Sequence, residues 1–129
     1  MHFKIIKKDT KTRARIAEIT LNGRKIETPI FMPVATSAAI KGLHGKDLVD
    51  ASDSQIILAN TYHLYLRPGH DIIKNSGGIH NFMSWERNVL TDSGGYQVYS
   101  LSNNRKIEED GVKFKSHIDK NKYLYLSIG

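Results

Sequence analysis

Asp92 is the residue whose type and setting point most directly to chemistry. It lies in Val89-Leu90-Thr91-Asp92-Ser93-Gly94-Gly95-Tyr96-Gln97-Val98, where an apolar run ends on a carboxylate and then breaks into Ser-Gly-Gly. Val89 and Leu90 read as the tail of a buried strand, and Gly94-Gly95 interrupts any regular element, so Asp92 emerges from the core into a loop. Open α/β sheets and barrels place reacting acids at such strand ends. Gly94 and Gly95 let a ligand approach the backbone, Tyr96 offers a flat face to a ring, and Gln97 offers a donor and an acceptor. An isolated Asp-Ser-Gly-Gly stretch also makes an ordinary turn with a capping Asp.

The elements that must position Asp92 come from three apolar runs that each lead to a polar residue. Val34 leads to Thr36, Ala59 to Asn60 and Leu90 to Asp92. If the runs are parallel strands, these ends converge on one face and Asn60 neighbours Asp92. An Asn there can orient the carboxylate and favour its charged form through a hydrogen bond. Asn60-Thr61 equally reads as a simple helix cap. The runs Ile30–Val34, Ile56–Ala59 and Val89–Leu90 are nearly continuous apolar, as expected of strands covered on both faces. Between them, 45–51 is helix-compatible, and Tyr62 to Lys74 reads as helical, broken at Pro68-Gly69 and stopped at Gly77-Gly78. Strands separated by such crossovers imply parallel βα units.

Antiparallel signals flank this centre. Phe3–Ile6, Ile16–Leu21 and Arg24–Glu27 read as strands, and Asn22-Gly23 between the last two is a strong hairpin turn. Toward the other end, Glu109-Asp110-Gly111 turns between Lys106-Ile107 and Val112–Lys115. The 129 residues amount to one domain. Absence of Cys excludes disulfides and a thiolate zinc site, and no apolar run approaches the roughly 20 residues of a membrane span. The N-terminus lacks a secretory h-region, so a cytoplasmic protein is expected.

The net charge of +6 is unevenly placed: residues 1–27 hold eight basic against three acidic residues, 28–104 five against six, and 105–129 six against four. A basic rim around a neutral site suits a polyanion, though a solvated Lys-rich surface gives the same count. No His pair has metal-ligand spacing, which leaves His44, His70, His80 and His117 unassigned, and His63 reads as structural.

Four blocks resemble the tRNA-guanine transglycosylase (queuine tRNA-ribosyltransferase) family. They are 29–36 (Pro-Ile-Phe-Met-Pro-Val-Ala-Thr), 57–64 with Leu66-Arg67-Pro68-Gly69, the stretch from Phe82 through Trp85, Arg87 and 90–98 to Ser100-Leu101, and 111–119. The resemblance implies an α/β fold: an N-terminal antiparallel sheet over 1–28, then over 29–119 the first βα units of an incomplete TIM (β/α)₈ barrel and a hairpin. It implies exchange of the wobble-position guanine of tRNA for a deazaguanine base. Asp92 would be the acid/base carboxylate and Ser93, Gly94 and Gly95 would line the pocket. Tyr96 would stack on the base, and Asn60 and Gln97 would hold Asp92. Partners would be the tRNA anticodon loop, the free base and, as is common in the family, a second copy. Tyr96 stands where the family often has Phe, and Asn88-Val89 where Pro-Ile is frequent.

After Asp119 the match is expected to stop, leaving 120–129 as a tail foreign to the family. The family's nucleophilic Asp and its Cys/His zinc site would then lie outside this chain, and a full barrel needs about 250 residues. The chain is accordingly expected to be an N-terminal fragment, inactive alone. The alternative is a remnant or basic RNA-binding module without catalysis.

Overall fold

The computed structural model describes residues 1–101, 105–119 and 121–127. The chain opens with an antiparallel meander of β1 (His2–Lys8), β2 (Arg15–Leu21) and β3 (Arg24–Thr28). Asn22 and Gly23 both take positive φ, 50° and 76°, which supplies the turn between β2 and β3 whose twist matches the strands. Ala17 and Ile26 are buried on one face of this sheet, whereas every residue of β1 is exposed.

The centre holds a parallel pair, β4 (Ile56–Asn60) and β5 (Asn88–Asp92), in register from Ile56 opposite Asn88 to Asn60 opposite Asp92. The described residues form five short helices, α1 (Gly45–Ser52), α2 (Thr61–Leu66), α3 (His70–Asn75), α4 (Ile79–Met83) and α5 (Gly95–Leu101). Side chains alternate along a strand. Ile57 and Ala59 therefore share one face of β4. Ile57 is buried with Ala35, Leu48 and Trp85, and Ala59 with Ala38 and Leu64. Full burial of a side chain such as Ile57 is worth about 1.5–3 kcal/mol. The indole of Trp85 also donates from Nε1 to the Asn88 carbonyl at 3.1 Å, which ties the α4 exit to the start of β5. Arg87 donates to Asp53 at 2.6 Å and to the Ser54 carbonyl at 2.9 Å, joining the end of α1 to the same strand.

The run expected to be the first buried strand, Ile30–Val34, is only partly one. Residues 33–36 lie parallel beside β4, with Leu58 N–H donating to the Pro33 carbonyl at 2.9 Å and Ala35 N–H to the Leu58 carbonyl at 2.7 Å. A single bridge, Val34 to Leu58, is formed. Pro29 and Pro33 lack the N–H that a longer ladder needs. The expected cover on both faces also fails: Phe31 is 80% exposed, Val34 55% and Leu90 40%. Val34, Leu58 and Leu90 form one cross-strand row on the face away from Ile57 and Ala59, and this row is partly open while Ile56, Asn60 and Asn88 on the same face are buried.

A second antiparallel sheet follows, β6 (Arg105–Glu108), β7 (Gly111–Lys115) and β8 (Tyr123–Ser127). Glu109-Asp110 is the expected turn between β6 and β7. Segment 120–129, expected to be a foreign tail, is instead built into the fold as far as it is described. Tyr123 to Ser127 pair with Lys115 to Gly111, and Leu124 is buried with Phe114, Tyr62 and Val98. The alternation Tyr-Leu-Tyr-Leu is a half-buried strand pattern whose apolar side found a core.

Candidate functional site

The parallel register brings Asn60 and Asp92 side by side at the C-terminal ends of β4 and β5. Asn60 Nδ2 donates to Asp92 Oδ2 at 2.8 Å, and the Gly94 N–H donates to Asp92 Oδ1 at 2.9 Å. Each carboxylate oxygen thus has one internal donor and keeps lone-pair capacity for a ligand. The third strand end arrives as anticipated, with the Asn60 N–H donating to the Thr36 carbonyl at 3.4 Å. Asn60 and Asp92 continue the same face as Leu58 and Leu90.

Both readings of Asn60 hold at once. Its Oδ1 accepts from the His63 N–H at 3.0 Å, capping α2, while its Nδ2 clamps Asp92. The cap fixes which end of the amide is oxygen, so the nitrogen must face the carboxylate. Asn60 is only 6% exposed, so loss of either partner would leave a buried polar group unsatisfied. Thr61 adds a contact missed from sequence: its hydroxyl donates to the main-chain carbonyl of Asp92. A Thr after a strand-ending Asn was the available signal.

Gly94 has a different reason for being glycine from the one expected. Its φ is +70°, and a Cβ there would lie 2.6 Å from Tyr62 Cβ and 2.7 Å from Tyr62 N. The close approach is to the first turn of α2, and Gly94 is buried by it. Gly95 opens α5, and Ser93 Oγ accepts from the Gly95 N–H at 3.3 Å. Ser93 and Gly95 line a cavity of about 620 Å³ with Thr61, Val98, Tyr99 and Arg105, and Asp92 is not part of that lining. Tyr96 is 75% exposed, its ring free of the core. Gln97 sits in the first turn of α5, and among the described residues no hydrogen bond joins it to Asp92, so the expectation that it holds the carboxylate is not met.

Next to the clamp, Tyr62 is fully buried, and burial pushes its phenol above the ordinary value of 10.0. Its hydroxyl is 2.7 Å from His117 Nδ1, the two rings stack at 5.5 Å, and Phe114 lies 5.3 Å away. His117, unassigned from sequence, thereby ties the turn after β7 to α2. His63 contributes its backbone N–H to the cap and sets its ring edge-on to Tyr62 and His117, in keeping with a structural role.

No group of three or more His, Cys, Asp or Glu among the described residues is placed to hold a metal ion. The chain also has no Cys. No helix among the described residues is long and apolar enough to cross a membrane.

Comparison with known proteins bears on the whole chain. The family model described as queuine tRNA-ribosyltransferase matches residues 9–126, which carries the match beyond the boundary expected at 120. A queuine tRNA-ribosyltransferase of Dictyoglomus turgidum is 53% identical over 125 residues, covering 97% of this chain and 32% of the relative. The one from Caldanaerobacter subterraneus subsp. tengcongensis is 54% identical over 123 residues, covering 95% and 32%. That of Moorella thermoacetica is 52% identical over 117 residues, covering 91% and 31%. The chain therefore spans about a third of the length of the curated relatives it matches. It belongs to the queuine tRNA-ribosyltransferase family.

Proposed function

We propose that this chain is the purine-facing part of a tRNA-guanine transglycosylase, which exchanges the wobble-position guanine of the anticodon for a deazaguanine base. The observation that carries the reading is the clamp of Asn60 and Gly94 on Asp92 at the open ends of parallel strands. In this reading residues 33–36, β4 and β5 are the first staves of a TIM barrel, whose sites gather at the C-terminal strand ends. The enzyme acts in the cytoplasm, where tRNA is, and pairs with a second copy.

The target guanine leaves the anticodon-loop stack to reach the site, as bases do in other base-modifying enzymes. Tyr96 gives it a ring to stack on, an interaction typically worth about 1–3 kcal/mol. Asp92, held in one orientation by Asn60 and Gly94, accepts hydrogen bonds from purine N–H groups. It serves the proton traffic of the leaving and incoming bases. Ser93 and Gly95 form the wall beside it. Gly94 and Asn60 hold the carboxylate through their hydrogen bonds. The covalent step at the ribose falls to a second carboxylate outside residues 1–129, so the isolated chain binds but does not exchange.

Equilibrium dialysis of labelled guanine against the 129-residue chain tests this. A charge-assisted hydrogen bond contributes about 1.5–3 kcal/mol, so Asp92→Asn should weaken binding roughly 10- to 100-fold. Labelled guanine should not enter tRNA with the chain alone. Guanine binding indifferent to Asp92→Asn, or Asp92-dependent incorporation by the pure chain, would overturn the proposal. A second reading, RNA binding without catalysis, is favoured by exposed Lys7, Lys8, Lys11, Arg13 and Arg15 around the β1–β2 loop. The one acid there, Asp9, is engaged by Lys11 N–H and by the Thr12 N–H and hydroxyl, which lower its pKa.

A further inference from the structure

The outer face of the β6–β8 sheet carries a pattern that guanine exchange does not use. Pairing sets Lys106, Lys113 and Tyr125 in one cross-strand row and Lys115 with Tyr123 in the next. Directly opposed residues share a face, so Ile107, Val112, Phe114, Leu124 and Leu126 occupy the other side. That inner side packs on Tyr62 and Val98. The outer side keeps Tyr123 54% and Tyr125 39% exposed. Lys113 Nζ and Lys115 Nζ lie 5.7 Å and 5.9 Å from the centre of the Tyr123 ring. Neither row holds an acid, and Glu108, in the adjoining row with Gly111 and Ser127, is paired with Lys106 at 3.0 Å.

We infer that this face binds an unpaired RNA segment, with bases on Tyr123 and Tyr125 and phosphates at Lys113 and Lys115. Two exposed rings lie two residues apart on one strand, about 7 Å, so each can take its own base of an extended chain. Cations flanking rings are the combination that single-stranded nucleic acids use, since every base has a stacking face and every phosphate a charge. An acidic peptide would satisfy the lysines and leave the rings without a partner. The sheet packs through its inner face on Tyr62 of α2 and Val98 of α5, which leaves the outer face to a ligand. The inference takes from the proposed function only the identity of the polyanion as RNA; the surface stands on its own geometry.

Fluorescence anisotropy with a labelled oligouridine of about 12 nucleotides, within the usual single-strand site size, tests it on the 129-residue chain. Tyr123→Thr, which keeps a strand-forming residue, should weaken binding roughly tenfold, while Tyr123→Phe should stay within about twofold. The double variant Lys113→Gln and Lys115→Gln should flatten the log K against log salt slope by about 1.4, near 0.7 per lost phosphate contact. Exposed Lys→Gln changes leave the fold intact, so this arm decides even if Tyr123→Thr unfolds. An unchanged salt slope in the double variant, or equal affinity for duplex RNA of the same length, would overturn the inference. Asp92→Asn separates the two readings: it should weaken guanine binding roughly 10- to 100-fold and leave oligouridine binding as it was. A failure of the guanine arm alone would count against the proposed function and not against this face.

Discussion

Gly94 and Gly95 are adjacent, and alanine at each should have opposite consequences. At Gly94 the φ of +70° costs an L-residue about 1–2 kcal/mol. The new Cβ would also lie 2.6 Å from Tyr62 Cβ, 2.7 Å from its N and 3.1 Å from its Cα. Those atoms belong to the backbone and base of a fully buried residue and cannot swing aside. Overpacking of that kind costs about 1–3 kcal/mol. Gly94→Ala should therefore destabilise by roughly 2–5 kcal/mol, which for a chain of this size lowers Tm by roughly 10–20 °C. At Gly95 the nearest neighbour of a Cβ is the flexible Ser93 Oγ at 3.4 Å, and the residue begins a helix. Gly95→Ala should be neutral or stabilising by up to about 1 kcal/mol. Urea unfolding followed by circular dichroism measures both. Gly94→Ala should also lose guanine affinity, because its N–H donates to Asp92 Oδ1 from the displaced position. Equal stability of the two variants would refute the packing of Gly94 on Tyr62 and the geometry of the clamp with it.

Two further outcomes follow from the same junction. Asn60→Ala removes the α2 cap, worth about 1 kcal/mol, and deprives Asp92 Oδ2 of its donor, worth about 1–3 kcal/mol, so a loss of roughly 2–4 kcal/mol is expected. Asn60→Ser restores a capping oxygen and should recover about 1 kcal/mol of stability but none of the guanine binding; recovery of both together would contradict the double role. For Tyr62, burial disfavours the phenolate, so the folded chain holds its proton more tightly than the unfolded chain does. Its contribution to stability is whole below pH 10.0 and is lost as pH climbs from there through the raised folded value. Urea midpoints at about pH 8 and about pH 11 should fall further for the wild type than for Tyr62→Phe, and parallel falls would exclude Tyr62 as a source of the slope.

The readable parts of this chain were those governed by local pattern. Asn22-Gly23 announces a turn because both positions need positive φ, and the structure puts both there. Ile56–Ala59 announces a buried strand, and the polar residues after the apolar runs announce that Asn60 and Asp92 meet. What local pattern misses is which atom fills a given space. A Gly-Gly pair shows that something comes close; the visitor at Gly94 is Tyr62, some thirty residues upstream, rather than a ligand. Gln97 has the right chemistry to hold Asp92, but the helix beginning at Gly95 carries it along α5, and its side chain makes no bond to the carboxylate. Ile30–Val34 reads as a strand by hydropathy, while its prolines restrict the pairing to a bridge. Tyr123 to Ser127 looks unlike its surroundings in composition, and only the partner strand β7 shows that its alternation has a purpose.

The junction of β4 and α2 governs Asp92 more than the acid's own loop does. A helix N-terminus needs an acceptor, and a carboxylate needs a donor. Asn60, at the last residue of β4, presents both from one short side chain, and its orientation is fixed by the His63 N–H. Asp in its place would cap equally well but face Asp92 with a like charge, and Ala or Leu would serve neither partner. Thr61 then fixes the main chain of Asp92 from the same junction through its hydroxyl. Side chain and backbone of the acid are both referenced to α2, and α2 is anchored by the buried Tyr62 between Gly94 and the Phe114 side of the second sheet. The carboxylate and its backbone are thus held chiefly from the β4–α2 junction, with only the Gly94 N–H contributed by the Ser-Gly-Gly turn. Under the proposed function, preorganisation of this kind would leave little reorientation to be done when a purine N–H arrives.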